Sequence, residues 1–193
     1  MRQRYTVIIL CLVLIIAAIG CGKKEQQAQQ EQTTDQTATL KIYPMDSMAG
    51  IISQTDENLV LEIDPQISAD GNGSLRIDAA GPATVHLYEA GDLDVEDARL
   101  IYRAKLRTEN VTEKVYLELW CHFPEAGEFF SRGLAAALSG SNSWMTAETP
   151  FFLKAGQNPD QIKLNLVFEG TGTVWIDDVR LIRGPAQQNE SMK

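Results

Sequence analysis

The sequence predicts an all-β domain, a two-sheet antiparallel β-sandwich, on three observations. Beyond residue 40 the apolar residues come in runs of four to ten, separated by clusters of Gly, Pro, Asn and Asp, as strands and turns require. No helical period of 3.6 recurs apart from the short stretch Gly133-Leu134-Ala135-Ala136-Ala137-Leu138. Three runs alternate. Leu100, Tyr102, Ala104 and Leu106 stand against Ile101, Arg103, Lys105 and Arg107; Val115, Leu117, Leu119 and Cys121 stand against Tyr116, Glu118, Trp120 and His122; Ile162, Leu164, Leu166 and Phe168 stand against Lys163, Asn165, Val167 and Glu169. Successive side chains on a strand point to opposite faces, so the first, more apolar set of each run belongs to the core and the second faces out.

The 193 residues allow one domain of ordinary size once the ends are set aside. Residues 1–20 carry Arg2 and Arg4, then the apolar run from Val7 to Ala18, then Gly20. This is the pattern of a secretory signal peptide, the run being short for a spanning helix. Ala18-Ile19-Gly20-Cys21 resembles a bacterial lipobox. The resemblance implies cleavage before Cys21, diacylation of that residue and a lipid anchor in a bacterial cell envelope. An uncleaved anchor or an ordinary signal peptide is the alternative. Gly22, where Asp could stand, is similar to lipoproteins sent on to the outer membrane, where the envelope has two membranes. Residues 21–39 are rich in Gln, Thr and charge and almost without apolar residues, so they cannot bury enough surface to fold. They form a tether holding the domain about 20–25 Å from the membrane. Losing Arg2 and Arg4 takes the net charge from −9 to −11, which argues against nucleic acid or anionic lipid as partner. Cys11 leaves with the signal peptide and Cys21 takes lipid, so Cys121 is left without a disulfide partner.

The domain, 40–185, reads as strands near 58–63, 74–79, 84–89, 98–108, 114–123, 144–153, 161–169 and 173–183, with an added edge strand at 39–43. Residues 128–133 are ambiguous, and 186–193 form a polar tail. The last strand is launched by Gly170-Thr171-Gly172 and runs through Val174, Trp175, Ile176, Val179 and Leu181. Two acids interrupt it. Asp177 and Asp178 point to opposite faces, so if the strand is covered on both sides one of them needs a cation or hydrogen-bond donors.

This closing strand resembles that of the galactose-binding-like jelly rolls found among carbohydrate-binding modules. Gly73-Ser74-Leu75-Arg76-Ile77, the run from Leu100 to Arg107, and Trp144 followed by Pro150-Phe151-Phe152 agree with it, and the resemblance covers roughly 57–183. Counting the eight main strands in order, it implies sheets 1-8-3-6 and 2-7-4-5. The seventh, fourth and fifth strands would then be neighbours, and Lys163, Asn165, Arg103, Lys105, Tyr116, Glu118, Trp120 and His122 would share one outer surface.

Sugars are bound by flat aromatic rings against their C–H faces, with amides, carboxylates and cations on the hydroxyls. The expected surface has that mix, and the resemblance places Trp120 and Tyr116 as its platform. The competing reading is that Phe129 and Phe130 cover Trp120. The resemblance also implies one structural calcium ion at Asp177 or Asp178, completed by Asp70 and carbonyls of the loop Asp70-Gly71-Asn72-Gly73. Against it stands a β-bulge, with one acid solvated and the other bonded to backbone amides. The expectation is therefore a non-catalytic, membrane-tethered protein that binds glycan, or else an envelope module that contacts another protein. Cys121 and His122 point to opposite faces and make no catalytic pair. Leu61-Glu62-Ile63-Asp64-Pro65-Gln66 is similar to the acidic strand of jelly-roll glycosidases, but Ile67 stands at the third acidic place and Pro65 interrupts the strand.

Overall fold

The computed structural model describes residues 37–52 and 57–186; the signal peptide, Cys21, most of the tether and the tail beyond 186 lie outside them. The strands are β1 (Ala38–Tyr43), β2 (Leu59–Asp64), β3 (Ser74–Ala79), β4 (Ala83–Gly91), β5 (Ala98–Phe123), β6 (Gly127–Arg132), β7 (Leu138–Leu153), β8 (Gln161–Phe168) and β9 (Gly172–Gly184). All pair antiparallel. The hydrogen-bonded path runs β2-β3-β9-β5-β8-β4, with β1 on β9, and β6 and β7 on β5.

The two layers are one sheet curled over on itself, and β5 makes the curl. This 26-residue strand passes through both layers. Its first part lies between β9 and β7, and its second between β8 and β6. The crossing falls where the pairing with β7 slips between Thr108, Val111 and Val115, and Asn110 takes φ +53° there. A left-handed residue is the usual device for re-aiming a strand. The apolar sets from both parts of β5 and from β8 are buried in one core with Leu75, Ile77, Val174, Ile176 and Leu181.

The strand positions follow the sequence, but the expected order does not. Residues 98–108 and 114–123 were to lie side by side next to 161–169; they occupy opposite layers, and only the second part of β5 touches β8. Nor does 58–63 neighbour the closing strand, since β3 stands between β2 and β9. The reason is continuity: one strand that turns from layer to layer cannot pair with itself. Residues 127–132 are a strand, and the helical fragment shrinks to a 3-10 turn at Leu134–Ala136.

The acidic pair makes a bulge. Arg103 faces Arg180 while Lys105 faces Asp177, so β9 holds one extra residue there, and Asp178 sits at φ +48°. Asp178 accepts from Arg180 Nε at 2.7 Å. Asp177 is fully buried and accepts the backbone N–H groups of Ala69 and Asp178, each at 2.7 Å.

Candidate functional site

The outer face of the layer β4-β8-β5-β6 gathers chemistry because strand register lines its residues up. His86, Asn165, Glu118 and Arg132 are successive partners across the four strands. Lys163, Trp120 and Phe130 form the next row, and Gln161, His122 and Glu128 the one after. A cleft of about 420 Å³ opens over the first row and over Lys163 and Trp120 of the second, lined also by Thr84, Val167 and Glu128. Beyond Glu128 a second hollow continues past His122, Asp160 and Gln161.

Glu118 is the centre of the cleft. Its residue is 5% exposed, and a desolvated carboxylate is costly unless its lone pairs are filled. Trp120 Nε1 donates to Oε1 at 2.6 Å, Arg132 Nε donates to Oε2 at 2.8 Å, and Asn165 Nδ2 approaches Oε1 at 3.4 Å. This fixes the Asn165 amide, whose Oδ1 must then accept from His86 Nδ1, 3.0 Å away. The same carboxylate holds the Arg132 guanidinium above its usual pKa range.

Trp120 is half-buried rather than free. Phe130 leans on it with ring centroids 4.9 Å apart, tilted by 41°. Arg132 lies 4.7 Å over the Phe130 ring, a cation–π contact that orders both side chains. Phe130 is 49% exposed, so Trp120 and Phe130 together form an apolar wall beside the polar row. Phe129 points to the other side of β6 and packs edge-on against Phe123 at 6.0 Å. Each of the two expected alternatives for Trp120 thus catches part of the arrangement.

The sequence-predicted residues divide into two groups. Tyr116, Glu118, Trp120, His122, Lys163 and Asn165 share this face. Tyr116 is buried, which pushes its phenol up. His122 Nδ1 lies 2.6 Å from Asp160 Oδ1, and Lys163 Nζ donates to Glu128 Oε1 at 2.6 Å, which holds the Glu128 carboxyl below its usual range. Arg103 and Lys105 are elsewhere. They sit in the other layer, Arg103 paired with Glu148 and Lys105 donating to Thr146 Oγ1 at 2.7 Å. That expectation followed from the wrong strand order and falls with it.

His86, Glu128 and Arg132 were not anticipated. The last two lie on β6, whose residues are almost all exposed and so carry no apolar alternation. The available signal was the two-residue spacing of Glu128, Phe130 and Arg132, which a strand must place on one face.

Asp70 accepts from Asn72 N at 2.8 Å, from Asn72 Nδ2 at 3.1 Å and from Ser68 Oγ at 3.0 Å, and the Asn72 N–H groups hold its carboxyl low. Burial pushes the Asp177 carboxyl up, and the nearby Asp70 charge adds to this. Asp177 makes no ion pair among the described residues. Both Asp177 oxygens accept backbone N–H groups, and a second acid, Asp70, is near. No cluster of three or more His, Cys, Asp or Glu side chains suited to a metal occurs among the described residues.

Cys121 is fully buried, which pushes its thiol up to about 12, and it lies on the opposite face from His122. Asp64 accepts from Trp175 Nε1 at 2.9 Å and from the Gln66 and Ile67 amides, while Glu62 pairs with Arg76. These contacts tie the acids of the glycosidase-like stretch into the fold.

A curled antiparallel sandwich of this kind is the fold of the β-sandwich carbohydrate-binding modules. The CBM22-1 xylan-binding domain from Paenibacillus barcinonensis Xyn10C is similar at TM-score 0.57 and 9% identity, over 77% of this chain and 96% of that one. The tandem CBM22-1-CBM22-2 domain of the same protein gives TM-score 0.59 at 9% identity, over 83% and 49%. The CBM22-1-GH10 modules of Clostridium thermocellum xylanase Xyn10B, complexed with xylohexaose, give 0.52 at 13%, over 67% and 25%. No protein-family model and no curated protein matches the chain.

Proposed function

We propose that the domain is a non-catalytic glycan-binding module tethered to a bacterial membrane through lipid on Cys21. The observation that carries the binding part is the cleft that Trp120, backed by the Phe130 ring, lines beside the Asn165, His86 and Arg132 polar row. A ring wall and adjacent donors and acceptors are what a pyranose needs. The fold shared with xylan-binding domains supports the same reading. The test is a glycan array probed with the purified full chain, xylans included. Binding to a defined glycan is expected; failure on every glycan, together with recovery of a protein partner, would favour the second reading. That reading, an envelope module that contacts protein, draws support from Phe129 and Phe130, 50% and 49% exposed on β6.

The anchor rests on Ala18-Ile19-Gly20-Cys21, which lies outside the described residues. Among the described residues no helix is long and apolar enough to cross a membrane. Cys21→Ser is expected to leave unprocessed precursor and abolish detergent partitioning of the mature chain; a cleaved variant that still partitions would contradict the anchor. An outer-membrane location follows from Gly22 if the envelope has two membranes.

Calcium at Asp177 is a further part of the proposal. An ion that binds only the folded state stabilises it by mass action. Excess chelator is therefore expected to lower the melting temperature, and adding calcium back to restore it. An unchanged melt, with no metal found by elemental analysis, would leave Asp177 as a buried acceptor for the Ala69 and Asp178 amides.

A further inference from the structure

We propose that Arg132 reads a carboxylate, so that the glycan taken by this cleft is a largely neutral chain carrying uronic acid groups; the proposal rests on the glycan-binding reading above. Arg132 is held by two independent contacts. Its Nε donates to Glu118 at 2.8 Å, and its guanidinium lies 4.7 Å over the Phe130 ring. Glu118 is itself fixed from its other oxygen by Trp120 at 2.6 Å. The plane of the guanidinium is therefore set before any ligand arrives, which reduces the ordering cost of binding.

One of the five guanidinium N–H donors serves Glu118. The Nη1 and Nη2 groups make no hydrogen bond or ion pair among the described residues, and the side chain is 46% exposed at the cleft. Two terminal N–H groups in one plane match the two oxygens of a carboxylate, and such bidentate bonds exceed those to hydroxyls in strength and directionality. Lys163, the other cation lining this cleft, is engaged by Glu128 at 2.6 Å. Arg132 is thus the lining cation whose remaining donors await a partner.

Charge decides between two sources of carboxylate. The chain carries −9 overall, and Glu118 and Glu128 line the cleft, so a polymer charged at every residue is repelled at long range. A neutral backbone with occasional uronate side groups meets one fixed guanidinium without that penalty.

The experiment is calorimetric titration of the purified full chain with glucuronoxylan, with the same polymer after chemical reduction of its carboxyl groups, and with polygalacturonate. Carboxyl reduction is expected to weaken binding about ten-fold or more, the size of one charge-assisted bidentate contact. Polygalacturonate is expected to bind more weakly than glucuronoxylan. Arg132→Lys keeps the charge and loses the fork, and is expected to erase the preference between native and reduced xylan. Equal affinity of the wild-type chain for those two polymers would overturn the proposal while leaving the glycan reading intact, and it does so even if Arg132→Lys folds poorly. Equal or tighter binding of polygalacturonate would overturn the sparse-uronate source. Absence of binding to every glycan would remove the functional reading and this inference together.

Discussion

Gly172→Ala is expected to destabilise the domain by about 2–6 kcal/mol, combining backbone strain with overpacking. Gly172 opens β9 at φ +141°, a conformation L side chains rarely adopt. A Cβ there would stand 2.7 Å from Val111 Cα and 2.9 Å from both Val111 N and Val111 Cγ2. Val111 lies where β5 crosses between layers, and the adjoining Thr112 N–H donates to Thr171 O at 3.0 Å. The turn and the crossing are thus locked together, so neither can shift alone. Gly71→Ala is the control: φ is +97° there, but nothing lies within 4 Å of the added Cβ, so strain acts without a clash. Urea denaturation of both variants checks this. Equal losses at the two sites would mean that the Val111 contact relaxes and the turn does not anchor the crossing.

Leu119→Ala and Trp120→Ala should fail differently although they are neighbours. Leu119 is fully buried in the core, and its truncation is expected to cost about 2–5 kcal/mol as transfer and cavity terms combine. Trp120→Ala removes the Phe130 contact and one of the donors to buried Glu118. The lost hydrogen bond to a desolvated carboxylate is expected to cost about 1–3 kcal/mol. The larger effect should be on glycan binding, which should weaken about 30-fold or more, as for a central aromatic anchor. Denaturation midpoints and titration on both variants separate the two roles. Trp120→Ala with full glycan affinity would show that the ring only supports Glu118.

Strand positions were legible in the sequence because alternation is local. Each apolar set on β5 and β8 announces its buried face within a few residues, and Leu100 through Leu106, Val115 through Cys121 and Ile162 through Phe168 are all in the core. Parity also put Glu118, Trp120, Lys163 and Asn165 on outer faces. Local pattern could not reveal that 98–123 is one strand, because the crossing at 109–114 looks like a turn between two. It was equally silent on β6, which is too polar and exposed to alternate.

The sequence by itself determined the all-β class, the core faces and the residue types available on the outside, since these depend on period and propensity. It also presented the acidic pair at 177–178 with both readings open. Only the tertiary structure decided which outer residues meet. The continuous β5 sends Arg103 and Lys105 to one layer and Glu118 and Trp120 to the other. Register across four strands joins Glu118 to Arg132 and Asn165, 14 and 47 residues away along the chain, and joins Asn165 to His86, 79 residues away. The bulge at Asp178 turns Asp177 inward to the Ala69 amide, 108 residues away in sequence. Such meetings arise from the closing of one chain on itself, where hydrogen-bond register and core burial act between residues that no local pattern connects.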